Sequence, residues 1–268
     1  MCGIFGVVEN SRDRRWDSYA YKRVLDGMDN RGPDSKNIWR SQDGSVTFGY
    51  TRLAIQDLTN LGDQPISIQN GSYCMVFNGE IYNFKSLRAE LLDKGLSFNS
   101  GSDSEVLLVA YAFYGHKVLS KINGMFAFAI YDRRNNSLFL ARDPSGQKPL
   151  FYRTGSKYFE FASTLESLLE SERAERRLNS KAVDEYFAYG YVSAGDSLIE
   201  GINKLMPGYS ITFNISDMRA KISKYWSVPS YIHTKDSVKD LVYELRDILS
   251  SAISDQLVAD VNIGVLLS

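Results

Sequence analysis

Cysteine and histidine are scarce in this 268-residue chain, with two of each: Cys2 and Cys74, His116 and His233. Two cysteines make no disulfide framework, and a reduced cytosolic compartment is the simpler reading. No Cys/His cluster has metal-ligand spacing, so no metal site is expected. The N-terminus has no basic stretch followed by an apolar core, so no secretory signal is expected either. No apolar run reaches about 18 residues, which argues against a membrane-spanning helix. Net charge is nearly absent: 31 Lys and Arg against 32 Asp and Glu leave −1. Nothing electrostatic therefore favours nucleic acid or a membrane surface as a partner. What is present is ordinary for a globular protein, 44% apolar and 24% charged residues, in a length that suits one large domain or two modest ones.

The unusual stretch is the first, Met1-Cys2-Gly3-Ile4-Phe5-Gly6-Val7-Val8. Removal of Met1 would leave Cys2 with a thiol and a free α-amine on one residue. A thiol attacks as thiolate. An α-amine, with a reference pKa of about 7.7–8.0, can act as base for its own side chain. Ile4 to Val8 reads as a buried strand that holds this residue at a sheet end. The competing reading is a retained methionine followed by a small buried cysteine. His116, at the end of an expected helix, and His233, in a polar region, read as surface or helix-end residues, which leaves the α-amine as the candidate base.

Apolar spacing then organises the chain. Trp16 to Asp29 predicts a helix with one buried face, closed by the breakers of Asn30-Arg31-Gly32-Pro33-Asp34. Asn37 to Ile55 predicts two strands around Gly44. Tyr73 to Phe77 predicts an apolar strand in which Cys74 is a small structural thiol, and the Asn78-Gly79 that follows reads from pattern as a tight turn. Phe84 to Lys94 is a surface helix stopped at Gly95, and Val106 to Phe113 a second helix capped by Ser102 or Asp103. Met125 to Tyr131 and Ser137 to Ala141 form a hairpin, Leu150 to Tyr152 and Tyr158 to Ser163 another, with helices over Thr164–Glu172 and Ser180–Tyr189. Arg52, a cation among apolar and small residues, reads alone as a snorkelling arginine at a strand edge.

MCGIFGVV, RGPD, FNGEIYN, SGSDSE, NGMFAFAIYD and ARDPSGQKPLFY stand here in the order of the class II (N-terminal nucleophile) glutamine amidotransferases, which the chain resembles throughout. The later segments, with KLMPG at 204–208 and Tyr225-Trp226, are similar to asparagine synthetases in particular. The resemblance implies an α+β fold, a four-layer αββα sandwich of two mainly antiparallel sheets, plus the first helix and strand of an α/β synthetase domain. It implies residues 1–228 as the amidotransferase domain with linker and 229–268 as the start of the ATP-binding domain. It implies Cys2 as nucleophile, with the Asn78 amide and the Gly79 N–H as oxyanion hole. Glutamine would be bound by Arg52 on its α-carboxylate and Asp103 on its α-ammonium, with Asn78 and Glu80 beside them. In the family a histidine usually precedes RGPD and another shortly precedes the arginine; here Asn30 and Tyr50-Thr51 stand there. The Arg142–Pro149 loop would be structural, near the site entrance.

The expected activity is hydrolysis of L-glutamine to glutamate and ammonia, with no cofactor and no metal. In an intact parent the ammonia would feed ATP- and Mg-dependent asparagine synthesis from aspartate. A different carboxylate acceptor, such as a sugar acid, is the alternative, as is a non-catalytic module if Met1 is retained. Asp236 to Val258 predicts an amphipathic helix and Val261 to Ser268 a strand, which in the synthetases runs into an SGGLDSS loop for pyrophosphate. Only the first serine of that loop is present, so the chain by itself is not expected to activate an acceptor. A cytoplasmic location and a homodimer complete the expectation.

Overall fold

In a computed structural model, the protein is described over residues 1–9, 18–170, 175–193, 195–230 and 236–265. The first residues of the expected Trp16–Asp29 helix, His233 and the last residues of the expected 261–268 strand lie outside these. Two six-stranded sheets form the body. In the first, β1 (Gly3–Glu9) lies between β3 (Val46–Arg52) and β9 (Tyr158–Ala162), antiparallel to both. β2 (Ser35–Arg40) flanks β3, and β8 (Phe151–Thr154) and β10 (Asn203–Lys204) extend the other edge. The second sheet runs β4 (Ile66–Ile68), β5 (Tyr73–Ile81), β6 (Gly124–Asp132), β7 (Ser137–Arg142), β11 (Tyr209–Asn214) and β12 (Arg219–Lys224) across its width.

Alternation along the strands builds the layers, because successive side chains point to opposite faces. Ile4 and Val8 of β1 join Phe48, Cys74, Val76, Ala129 and Leu140 in a core between the sheets. Phe5 and Val7, on the other face of β1, pack on Val24 of α1 (Ser18–Gly27) and Leu168 of α4 (Leu165–Leu169). On the second sheet, Met75 and Phe77 face Leu87 and Leu91 of α2 (Phe84–Asp93) and Val106 to Tyr111 of α3 (Asp103–Tyr114). The result is helix, sheet, sheet, helix, as the resemblance implied. α5 spans Ser180–Tyr189.

Two expectations change. Asn78-Gly79 is no turn: β5 continues through it to Ile81, with Asn78 opposite Ala127 and Gly79 opposite Phe126. A partner strand nine residues long supplies ladder bonds that local Asn-Gly preference cannot outweigh. Among the described residues, 261–265 pair with no strand; strand composition forms a strand only where a neighbour supplies the ladder bonds. The helix before them, α6 (Val238–Asp255), is present, capped by Ser237, and has no buried residue.

Candidate functional site

A cavity of about 210 Å³ opens where β1 begins and where β3 and β5 end. Cys2 is fixed there because β1 is hydrogen-bonded from its first residues: Gly3 pairs with Thr51, and Ile4 N–H donates to Ser163 Oγ at 3.0 Å. The Cys2 carbonyl accepts from Arg31 Nε at 3.1 Å. Arg31 opens the RGPD turn, whose Asp34 takes the Ala54 N–H at 2.8 Å. The motif thus braces both the nucleophile and the end of β3.

Two donors reach the Cys2 sulfur, Tyr50 Oη at 3.1 Å and Leu53 N at 3.4 Å. Both would stabilise negative charge developing on it. Tyr50 is buried, which pushes its phenol well above the usual range, with Cys2 adding to the shift. It therefore stays protonated at neutral pH. Tyr50 Oη in turn accepts from Gln64 Nε2 at 3.2 Å, and Gln64 Oε1 accepts the Phe77 N–H at 2.6 Å. Gln64 belongs to the Gly62–Pro65 turn, so that turn and β5 hold Tyr50 in place. Where the resembled family commonly has a histidine shortly before the arginine, this chain has a tyrosine that hydrogen-bonds the nucleophile. No histidine lines the cavity among the described residues. His116 stacks on Phe139 at 4.1 Å between ring centroids, away from the site.

Asn78 continues the inner-face phase of Cys74 and Val76, which aims it into the cavity. Its Nδ2 is buried and has no partner. Buried polar atoms without partners are rare. Among the described residues the others are Gln56 Oε1, on the same cavity, and Arg31 Nη2, of the side chain that bonds the Cys2 carbonyl. An unpaired amide donor beside a thiol can take the oxygen of a carbonyl under attack. Gly79 shares the wall, and a Cβ on it would meet the Met125 carbonyl oxygen at 2.1 Å. Only glycine lets β5 and β6 close at this point.

Asp103 is the first residue of α3, after Ser102, whose hydroxyl accepts the Glu105 N–H at 3.2 Å as the cap. Its Oδ2 accepts the Ile81 N–H at 2.8 Å, yet burial, helped by Glu80, raises its carboxyl to about 7. Burial also raises Glu80. Lys148, delivered by the Arg142–Pro149 loop, lines the same cavity and interacts with Glu80, and burial holds its ammonium below the usual lysine range. Asp143 shapes that loop, accepting from the backbone N–H groups of Phe126, Ser145, Gln147 and Lys148. Arg142 does not pair with it but donates to the Lys148, Gly146 and Leu205 carbonyls. The loop is structural, as expected, and it also places a cation in the cavity.

Arg52 lies on the wall but is no free fork and no snorkelling surface residue. It is buried, with Nη1 donating to Thr59 O at 2.8 Å and Asp63 Oδ1 at 2.9 Å, and Nη2 to the carbonyls of Asp57 and Gln56. Gly62 permits this, since a Cβ there would meet Nη2 at 2.3 Å. The guanidinium thus folds the 56–63 loop around itself and brings its charge to the cavity edge. All the candidate residues, Cys2, Arg52, Asn78, Gly79, Glu80 and Asp103, meet in one cavity. Residue reading missed Tyr50, Gln56, Gln64 and Lys148. The missing histidine was the signal for Tyr50.

Among the described residues no group of three or more His, Cys, Asp or Glu side chains could hold a metal, and no helix is long and apolar enough to cross a membrane. The family model for the glutamine amidotransferase domain matches residues 1–226. The chain is 35% identical to asparagine synthetase [glutamine-hydrolyzing] 3 of Bacillus subtilis (strain 168), over 100% of its own length and 43% of that protein. It is 29% identical to a putative asparagine synthetase [glutamine-hydrolyzing] 2 of Methanocaldococcus jannaschii, over 100% of its length and 54% of that protein. The chain thus spans about half the length of these relatives. In fold it is similar to the glutamine phosphoribosylpyrophosphate amidotransferase of B. subtilis, with a TM-score of 0.60 and 19% identity over 84% of this chain and 49% of that one.

Proposed function

The chain belongs to the class II glutamine amidotransferases, in the group of the glutamine-hydrolysing asparagine synthetases, and we propose that it hydrolyses glutamine through a γ-glutamyl thioester on Cys2. The observation that carries this is the convergence on one cavity of the thiol, an unpaired Asn78 amide, and the charged groups Arg52 and Asp103. Glutamine would enter with its α-ammonium on Asp103, flanked by Glu80, and its α-carboxylate toward Arg52. A buried carboxylate with a raised pKa gains a counter-ion on binding an ammonium, which favours its charged form.

Removal of Met1 would free the Cys2 α-amine, the base of this mechanism. The amine takes the thiol proton, and Sγ attacks the side-chain amide carbon while Tyr50 and the Leu53 N–H support the sulfur. The C–S bond forms, and the carbonyl oxygen carries negative charge toward Asn78 and Gly79. The tetrahedral intermediate then collapses. The C–N bond breaks, and the leaving nitrogen departs as ammonia with the proton held by the α-amine. Water, deprotonated by the same amine, attacks the thioester, and glutamate leaves with the thiol restored. With Met1 in place its own amine sits at the cavity mouth, where burial lowers it below the usual range, and the Cys2 nitrogen is an amide that cannot act as base.

For the parent protein we propose transfer of the ammonia to an ATP-activated carboxylate, aspartate first and a sugar acid as the alternative. No step of that activation is assigned to residues 1–268. Residues 229–268 would be the start of the second unit, a reading supported by the family match ending at residue 226 and by the fully exposed α6. A cytoplasmic location and a homodimer belong to the same reading. The test is glutamate release from glutamine, compared with Cys2→Ala. Activity that disappears in the variant supports the proposal, and equal release by both proteins refutes it.

A further inference from the structure

The glutamine cavity is tethered from outside at a place none of the assigned residues occupies. α6 has no buried residue, and the chain meets the body again at 258–260. There Asp260 N–H donates to Ile55 O at 2.9 Å, and Asp57 N–H donates to Asp260 Oδ2 at 2.8 Å. Val258 packs against the core that α2 and α3 form with the second sheet, and its carbonyl accepts from Gln56 Nε2 at 3.4 Å. Residues 258–260 therefore grip Ile55, Gln56 and Asp57, the lip of the site.

Asp57 joins that lip to both ends of the proposed substrate. Its carbonyl accepts from Arg52 Nη2, the group at the carboxylate end. Its Oδ2 accepts the Gly101 N–H at 3.0 Å, two residues before Asp103 at the ammonium end. Asp57 adopts a φ of 50° to do this, a left-handed conformation that aspartate tolerates better than most residues. Gln56 adds a third link, since its Nε2 also reaches Glu80 Oε2 at 3.4 Å while its Oε1 remains buried without a partner.

We propose that Asp260 is a positioning residue for glutamine binding, acting through Asp57 to hold the Arg52 and Asp103 ends of the site at their working separation. This rests on the reading of the cavity as a glutamine site. Asp260 touches no reacting atom. Its contribution is a charge-assisted hydrogen bond to a strained backbone N–H. Losing it loosens the lip, which weakens ground-state binding and leaves the thiol, Asn78 and Tyr50 where they were. The effect therefore belongs in KM and not in kcat.

The test is steady-state glutaminase kinetics of the full chain as wild type, Asp260→Ala and Asp260→Asn, with the melting temperature of each. Asn retains an acceptor for the Asp57 N–H and Ala does not. Asp260→Ala is expected to raise KM for glutamine about threefold to tenfold, with kcat and melting temperature unchanged, the worth of one hydrogen bond. Asp260→Asn is expected to return KM close to wild type. An alanine variant with wild-type KM would overturn the inference, as would an asparagine variant as impaired as alanine, or a kcat that falls with melting temperature. A wild-type protein without glutaminase activity would remove the reading of the cavity itself, an outcome distinct from active proteins of equal KM.

Discussion

Single residues carry the chemistry, and each can be tested for the part its surroundings give it. Asn78 has one task left open by the fold, because its Nδ2 is buried and unpaired. Asn78→Ala is expected to lower kcat by about a hundredfold to a thousandfold with little change in KM, the cost of losing one oxyanion donor; a KM effect alone would mark it as a binding residue. Asp103 gives a pH dependence. Burial places its carboxyl at about 7, and only the ionised form attracts an ammonium. Binding of glutamine should therefore tighten as pH rises through about 7 and weaken below it, since protonation removes the charge. Calorimetric titration of Cys2→Ala protein with glutamine measures this without turnover. Asp103→Asn should bind weakly at every pH, and the same pH slope in that variant would assign the titration elsewhere. Much at this scale was legible in the sequence. Cys2 stands out by position, and the other assigned residues came through the resemblance of short motifs. Tyr50, Gln64 and Lys148 did not, because their importance lies in contacts across the chain: Tyr50 reaches a sulfur 48 positions away.

Secondary-structure elements set the site by where they stop. β1 begins just after the nucleophile, α3 begins at Asp103, and β5 passes the cavity at Asn78 and Gly79. The apolar periods located β1, β3, β5 to β9 and the helices to within a few residues, because alternation and helical spacing are local properties of the chain, but gave no strand at β4, β10, β11 or β12. The Asn78-Gly79 stretch shows where locality fails. Read by itself it is turn chemistry, but pairing with β6 from Tyr73 to Ile81 decides its conformation. The 261–265 segment fails in the opposite sense, having strand composition and no partner among the described residues. Gly79→Ala tests the β5–β6 closure. Its Cβ would fall 2.1 Å from a backbone oxygen, and backbone cannot swing aside as a side chain can. The variant is expected to lose about 1–3 kcal/mol of stability in denaturant unfolding, as overpacked sites do. An unchanged midpoint would mean that the two strands separate there without cost.

At the scale of the whole molecule, two sheets and two helical layers exist to bring a thiol and the ends of an amino acid to one opening. The chain's two cysteines make this testable in a single experiment. Cys74 lies buried between the sheets, its thiol pushed up to about 12 by burial, and it should be inert. Cys2 lines the cavity. The measurement is the intact mass of the protein before and after incubation with diazo-oxo-norleucine, an electrophilic analogue of glutamine, with the adduct located by peptide mapping. A starting mass short of one methionine, followed by one adduct on Cys2 that excess glutamine prevents, is the expected result. A protein lacking Met1 that takes no adduct, or takes it on Cys74, would contradict the assignment of Cys2 as the nucleophile of a glutamine site.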